Sequence, residues 1–313
     1  MKHSRIPFSW LIRAACVWML LSFSLVHAQD GENLKPFVLG GVYEGPISAH
    51  LDNTRTALEG QGFRIVGEHQ PYDGAHILIV TSDELLQVAA ASERGGYIAP
   101  LRVSLTEVSG NTQVAYVNPL YLRHAYRLNG ELFQVSARLA GALGQREFFG
   151  SEEGLPPDQL QRYNYTFGME YFTDPYRLAS YRSHADAVAA VERGLATNAG
   201  GVSKVYRLDI PGTQMTVFGV SMSQARGGAS IHMDDAHQMS VVDFQGIKST
   251  AYLPYEILVI GGDVEALHMR FRMAVHFPDL RMMGANSFMR LRRSPNAIGE
   301  ALTKAAGGEV QRF

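Results

Sequence analysis

The sequence predicts an α+β fold made of two repeated domains, each running strand, helix, four antiparallel strands, helix. Two observations carry this expectation. The stretches Ala75–Pro100 (AHILIVTSDELLQVAAASERGGYIAP) and Tyr252–Pro278 (YLPYEILVIGGDVEALHMRFRMAVHFP) read alike, each with an apolar run, a small-residue turn ending in Asp83 or Asp263, a helix-like segment and a proline. Around each lies the same succession of strand-like and helix-like segments.

In the first half, Phe37–Tyr43 reads as a strand, and Pro46 opens a helix with Ile47, Leu51, Thr54 and Leu58 on one face. Gly60-Gln61-Gly62 ends it. Phe63–Val66 is a short strand and Ile77–Val80 suits a central one, after which the Asp83 carboxylate caps a helix running to Ser92. Leu101–Val108 alternates, placing Leu101, Val103, Leu105 and Val108 inward, and Ser109-Gly110-Asn111 turns the chain into the return strand Thr112–Val117. Leu132–Leu143 is the closing amphipathic helix. Residues 144–175 break the pattern as an aromatic-rich linker, packed down by Phe148, Phe149, Tyr163, Tyr165, Phe167, Tyr171 and Phe172.

The second half, 176–313, repeats the order, with Arg177–Tyr181 as strand and His184–Thr197 as helix. Strands follow at Val202–Leu208, Met215–Val220, Met239–Phe244 and Tyr252–Ile260. Asp263–Ala274 is the matching helix, Phe288–Leu291 the return strand and Pro295–Ala305 the closing helix. Pairing Asp83 with Asp263 leaves about forty extra residues, an insertion around 211–250 of a length that marks functional or accessory segments.

The N-terminus places the protein in a compartment. Lys2, His3, Arg5 and Arg13 precede an apolar run, Ala14–Val26, which ends at Val26-His27-Ala28; residues 1–28 read as a secretory signal peptide and the domain beginning at residue 29 as periplasmic. The one cysteine, Cys16, falls inside that segment, so the mature chain is expected to carry no disulfide, thiolate metal site or cysteine nucleophile. A formal net charge of −2 with interspersed signs argues against a nucleic-acid partner, and membrane association is expected only through the signal peptide before cleavage.

The strand Ile77–Ser82, the run Ile98-Ala99-Pro100-Leu101-Arg102-Val103 and the ending Tyr116-Val117-Asn118-Pro119 resemble the domain-of-unknown-function family 302. The resemblance covers residues 37–143 and, in a divergent form, 176–306. It implies a compact domain of strand, helix, four antiparallel strands and helix, and it implies no catalytic residues. The Gly-Asn-Pro expected after the first strand is replaced by Thr81-Ser82-Asp83 and Gly261-Gly262-Asp263.

The most suggestive chemistry lies in Arg226–Met239. His232, Met233, Asp234, Asp235, His237 and Met239 combine imidazole with thioether, which suits copper, and imidazole with carboxylate, which suits another divalent metal. Nine of the ten methionines after residue 28 fall between Met215 and Met289. A polar loop over a methionine-filled core explains the same residues and is preferred. A second candidate set, His268, Met269, Met273 and His276, lies on the matching helix, where Met269, Met273 and His276 share a face; core packing explains that stripe as well. Arg281, Arg290, Arg292 and Arg293 read as a charged edge strand. The hydrolase and nucleotide-binding motifs GxSxG, HExxH, SxxK and Walker A are missing from the sequence.

These residues lead to the expectation of a secreted, non-enzymatic binding or interaction protein for a small ligand or a periplasmic protein. Copper handling through the insertion is the alternative.

Overall fold

Apolar runs punctuated by turn residues fold residues 33–310, the part that the computed structural model describes, into two antiparallel sheets with helices, an α+β architecture. The predicted signal peptide lies outside these residues. The first half contains β1 (Phe37–Glu44), α1 (Leu51–Gly60), β2 (Arg64–His69), β3 (Ala75–Thr81), α2 (Asp83–Ala90), β4 (Leu101–Val108), β5 (Asn111–Val117), α3 (Pro119–Ala125) and α4 (Phe133–Leu143). The stretch expected to be a linker holds β6 (Glu147–Phe149) and α5 (Pro157–Gln161). The second half contains β7 (Tyr176–Ser180), α6 (His184–Ala196), β8 (Val202–Ile210), β9 (Met215–Met222), α7 (Asp235–Val242), β10 (Tyr255–Ile260), β11 (Asp263–Ala266), α8 (Met269–His276) and α9 (Ser294–Ala305).

The first sheet is ordered β2-β3-β4-β5-β1-β6 and the second β8-β9-β10-β11-β7. Strand for strand the orders match, apart from β6. Even the irregularities match: Val66 bulges out of the β2–β3 ladder as Val205 does from β8–β9, and Gly40 out of β1–β5 as Leu178 does from β7–β11. Each half closes its third hairpin with two residues, Ser109-Gly110 between Val108 and Asn111, Gly261-Gly262 between Ile260 and Asp263. Ser109, Gly110 and Gly261 all take positive φ, as the tight turns of twisted hairpins require.

This register corrects the sequence reading. Ala75–Thr81 occupies the place of β9, not of Tyr255–Ile260, which instead matches β4. The two were confused because β3, β4, β9 and β10 are all buried almost throughout, so each reads as a continuous apolar run. Consequently Asp263 opens a strand rather than a helix, since the Gly261-Gly262 hairpin outweighs a carboxylate cap, and the helix starts only at Met269. Met239–Phe244 is not a strand: Asp234 accepts the His237 N–H and starts α7 in the place of α2. Phe288–Leu291 is a short 3-10 turn that leaves Arg281, Arg290, Arg292 and Arg293 exposed. Ser82, not Asp83, caps α2; Asp83 sits in its first turn, 2.7 Å from Arg64. Beside β9 and α7, the extra chain of the second half shrinks to residues 223–234.

Residues 33–310 belong to one compact unit with one continuous apolar core. The cause is visible on β4, where not only Leu101, Val103 and Leu105 but also Arg102, Ser104 and Thr106 are buried. The face expected to meet solvent is covered by the second half: Thr106 donates to Thr250, Arg102 donates to the Ala251 carbonyl, and Gln113 is bonded at both ends of its amide to Gly246 and Lys248. The cover is reciprocal. The 3-10 turn Gly95–Tyr97, just before β4, crosses β9 and β10, while Thr250–Tyr252, just before β10, crosses β4 and β5. Matching positions also meet each other, as in a two-fold interface. A Cβ on Gly67 of β2 would lie 2.8 Å from the Cβ of Tyr206, its counterpart on β8. Only glycine allows that approach.

Candidate functional site

The ten residues singled out for metal binding do not gather in one place. Asp234 is occupied with capping, accepting the N–H of His237 at 3.2 Å and of Gln224 at 3.0 Å. Asp235 is buried, accepts the Met222 N–H at 2.8 Å and lies 3.7 Å from His69 Nε2 of β2. Met233 and Met239 are buried in the core. His232 and His237 meet edge to face with ring centroids 5.5 Å apart, and His232 Nδ1 and His237 Nε2 are shielded from solvent without a hydrogen-bond partner. Burial, then His237 and the guanidinium groups of Arg293 and Arg292, lower the His232 pKa. In α8, Met269, Met273 and His276 are all buried, and His268 stands apart as the N-cap. Among the described residues, no group of three or more His, Cys, Asp or Glu side chains comes together to hold a metal ion.

His276 belongs to a buried charged network between the halves. Arg102 and Glu256 occupy matching positions on β4 and β10 and pair at 2.7 Å; Arg272 of α8 reaches the other Glu256 oxygen at 3.1 Å. Arg102, Glu256 and Arg272 are at most 2 % exposed. Two guanidinium groups share one carboxylate, so other donors go to carbonyls, Arg102 to Ala251, Arg272 to Tyr252 and Pro254, while Arg272 Nη1 is buried with no hydrogen-bond partner among the described residues. Arg272 also lies over the Tyr252 and Tyr255 rings at 4.2 and 4.4 Å. His276 is neutral: its Nδ1–H donates to the Arg272 carbonyl and its Nε2 accepts from Arg102, while burial, Arg102 and Arg272 push its pKa well below the usual value. The network fastens the halves together and has no opening to a ligand.

An accessible site lies elsewhere, in a groove of about 1410 Å³ along β7, floored by β11 and bounded by residues 170–175, the start of α8 and the chain after α9. Glu265 of β11, across the ladder from Arg177, is held by Arg94 at 2.9 Å and by the Tyr97 hydroxyl at 3.3 Å. Burial raises its pKa nevertheless, outweighing the pull of Arg94. Next to it the His268 ring lies tilted against Tyr176 with centroids 4.2 Å apart, and its Nδ1 accepts the Arg270 N–H at 3.3 Å. Burial and the Arg270 charge lower the His268 pKa to about 4, so the ring is neutral at neutral pH, and its bond from the Arg270 N–H puts the lone pair at Nδ1. Glu170 Oε2 lies 3.3 Å from that lone pair and is left without a donor, although Oε1 accepts from Arg270 at 3.1 Å. A shielded carboxylate oxygen with no donor is a place for a ligand N–H or O–H. Arg177 of β7 is exposed and has no ion-pair partner among the described residues.

Sequence reading missed this groove and His69. Glu170 sits in what read as a linker, Glu265 in what read as a helix, and His69 meets Asp235 only through the fold. The buried pair left one legible trace, a lone charge inside each apolar run, Arg102 in PLRVSL and Glu256 in PYEILVI. No family profile, no curated protein and no solved structure matches this chain.

Proposed function

We propose that this chain is a secreted, non-enzymatic binding protein of the periplasm whose ligand lies in the groove along β7. The observation that carries this reading is the Glu170 oxygen, shielded and without a donor among the described residues, in a groove that also holds Arg177. Neutral His268 and the raised pKa of Glu265 mark a site where polar groups have been partly withdrawn from water. The test is a thermal-shift screen of the mature chain against amino acids, peptides and sugars, followed by hydrogen exchange with any hit. Ligand protection of residues 176–180 and 263–270, lost on Glu170→Ala, is expected; no stabilising ligand of any class would sink the reading.

The halves are proposed to be two copies of one unit of the kind resembling family 302. The shared strand order, hairpins and bulge positions support this, because independent sheets have no reason to bulge at the same rungs.

Copper handling is the second reading, favoured by the adjacent His232 and His237 rings, each with a shielded nitrogen that has no hydrogen-bond partner among the described residues. Two imidazoles give a two-coordinate site suited to a soft monovalent ion, with buried Met233 as the nearby thioether in sequence. Copper titration of the mature chain beside a His232→Ala/His237→Ala variant tests it: equal binding by both proteins would end it.

A further inference from the structure

Away from the groove, one surface combines exposed apolar side chains with unanswered positive charge. Between α8 and α9 the chain turns back on itself: the Phe288 N–H donates to the Arg281 carbonyl at 3.0 Å and the Met289 N–H to the Met282 carbonyl at 3.1 Å. These bonds set exposed Met282 beside exposed Met289, at the base of a loop whose next residue, Met283, is 70 % exposed. The Asn286 amide donates to the Val241 carbonyl at 2.8 Å, tying the loop to the end of α7, where Phe244 is exposed as well. Phe288 and Leu291 root the segment in the core, so the outward methionines are additional to what packing needs. The same segment carries Arg281, Arg290, Arg292 and Arg293, all exposed and none with a side-chain hydrogen bond or ion pair among the described residues. No Asp or Glu occurs from Leu280 to Gly299, and Asp279 just before is taken up by the Ser151 hydroxyl and the Glu152 N–H.

We propose that this loop docks the mature chain on an anionic phospholipid surface, with its methionines and Phe244 entering the headgroup boundary and the four arginines meeting lipid phosphates. Charge complementarity selects this occupant: four guanidinium groups without a carboxylate among them call for a dense array of anions, and their forks match phosphate oxygens. The apolar tip between them needs hydrocarbon, which an anionic bilayer supplies just beneath its phosphates. Long arginine stems keep the charge at headgroup depth while the tip goes deeper. A bilayer demands no matching shape, and unbranched methionines adapt to it. Three thioethers also suit a soft metal ion, but the surrounding guanidinium groups repel a cation. The proposal does not depend on the groove along β7, and it adds a contact of the mature chain to the one expected of the signal peptide.

The test is co-sedimentation of the mature chain with vesicles of phosphatidylcholine alone and of phosphatidylcholine and phosphatidylglycerol in equal parts. Binding is expected to the anionic vesicles only, falling as salt is raised. At about fivefold per arginine, Arg290→Gln/Arg292→Gln should weaken it about twentyfold. Met283→Ser leaves the charge unchanged and should weaken it about threefold or more. Arg182→Gln/Arg193→Gln makes the same charge change beside the other end of α9, where Tyr181 bonds the Ala306 carbonyl and Gly194 abuts Ala305, and should bind as wild type does. Thermal melting reports that each variant is folded. No binding to anionic vesicles, or equal losses for the two arginine pairs, overturns the proposal. Capture of poly-glutamate without binding to vesicles overturns it by assigning the surface to an acidic protein. Vesicle binding by a chain starting at Asn33 but not by the mature chain overturns it by assigning the surface to residues 29–32, which carry Asp30 and Glu32.

Discussion

The two halves are alike where they touch and unlike where they do not. Between them, Arg102 meets Glu256 and Gly67 meets Tyr206, each residue touching its own counterpart, and each half lays a 3-10 turn across the other's sheet. At the outer edges the likeness ends: β1 is covered by β6, whereas β7 borders the groove. A contact between matching positions constrains both halves together, since a change in one must suit the other. An outer edge answers to one half alone. That asymmetry is why the candidate site is sought at the edge and stability at the centre.

The comparison breaks first, and by the largest margin, at Glu256. Glu256→Ala leaves Arg102 and Arg272 buried without their carboxylate and is expected to cost about 3–5 kcal/mol in urea unfolding. A loss below about 1 kcal/mol would mean that the carbonyls alone satisfy both guanidinium groups.

Gly67→Val is expected to cost about 1–3 kcal/mol, because its side chain would enter the space held by Tyr206 and the Val205 carbonyl. Gly60→Ala in α1 meets open space and should leave stability unchanged or raise it by up to about 1 kcal/mol. Equal effects at the two glycines would deny that the halves are locked at Gly67.

At the outer edge the expected signature is pH dependence. His268 has a folded pKa of about 4, below its unfolded value, so the unfolded chain binds the proton first as pH falls. The contribution is complete above about pH 6.5 and is lost towards pH 4, about 3 kcal/mol at most. Asp243 runs the other way: burial raises its pKa to about 6, and stability falls as pH rises from its unfolded value through that range. Comparing wild type with His268→Gln isolates the first effect; parallel stability profiles between pH 4 and 7 would remove His268 from it.

The smallest effect is again central. The Tyr206 hydroxyl is buried without a partner among the described residues, so Tyr206→Phe should be neutral or stabilising by up to about 1 kcal/mol. A clear loss in thermal melting would reveal a bond to that hydroxyl.

Much of the fold was legible because local chemistry dictates it. Pro46 and Gly62 bracket the first helix region, Ser109-Gly110 and Gly261-Gly262 are hairpin turns, and Pro295 begins the closing helix. The errors share one cause. Both faces of β3, β4, β9 and β10 are buried, so period-two alternation, the signal that separates one strand from its neighbour, is erased. Aligning Ile257–Ile260 with Ile77–Val80 turns the hairpin glycines into a helix start and α7 into a strand. The site suffered more, since Glu170, Arg177, Glu265 and His268 come from a connecting segment, two strands and a helix cap. The His and Met residues that stood out in sequence are chemically conspicuous, but Met233, Met239, Met269, Met273 and His276 fill the core.

By itself the sequence determined the α+β class and most element positions, because caps, turns and apolar runs act over a few residues. Only the tertiary structure decided which strand matches which, that the halves share one core, and that β7 rather than the His/Met segment borders an open groove. Those outcomes depend on what covers each face and edge. Cover is supplied by residues far away in the chain, as Thr250 covers Thr106 and Arg94 holds Glu265.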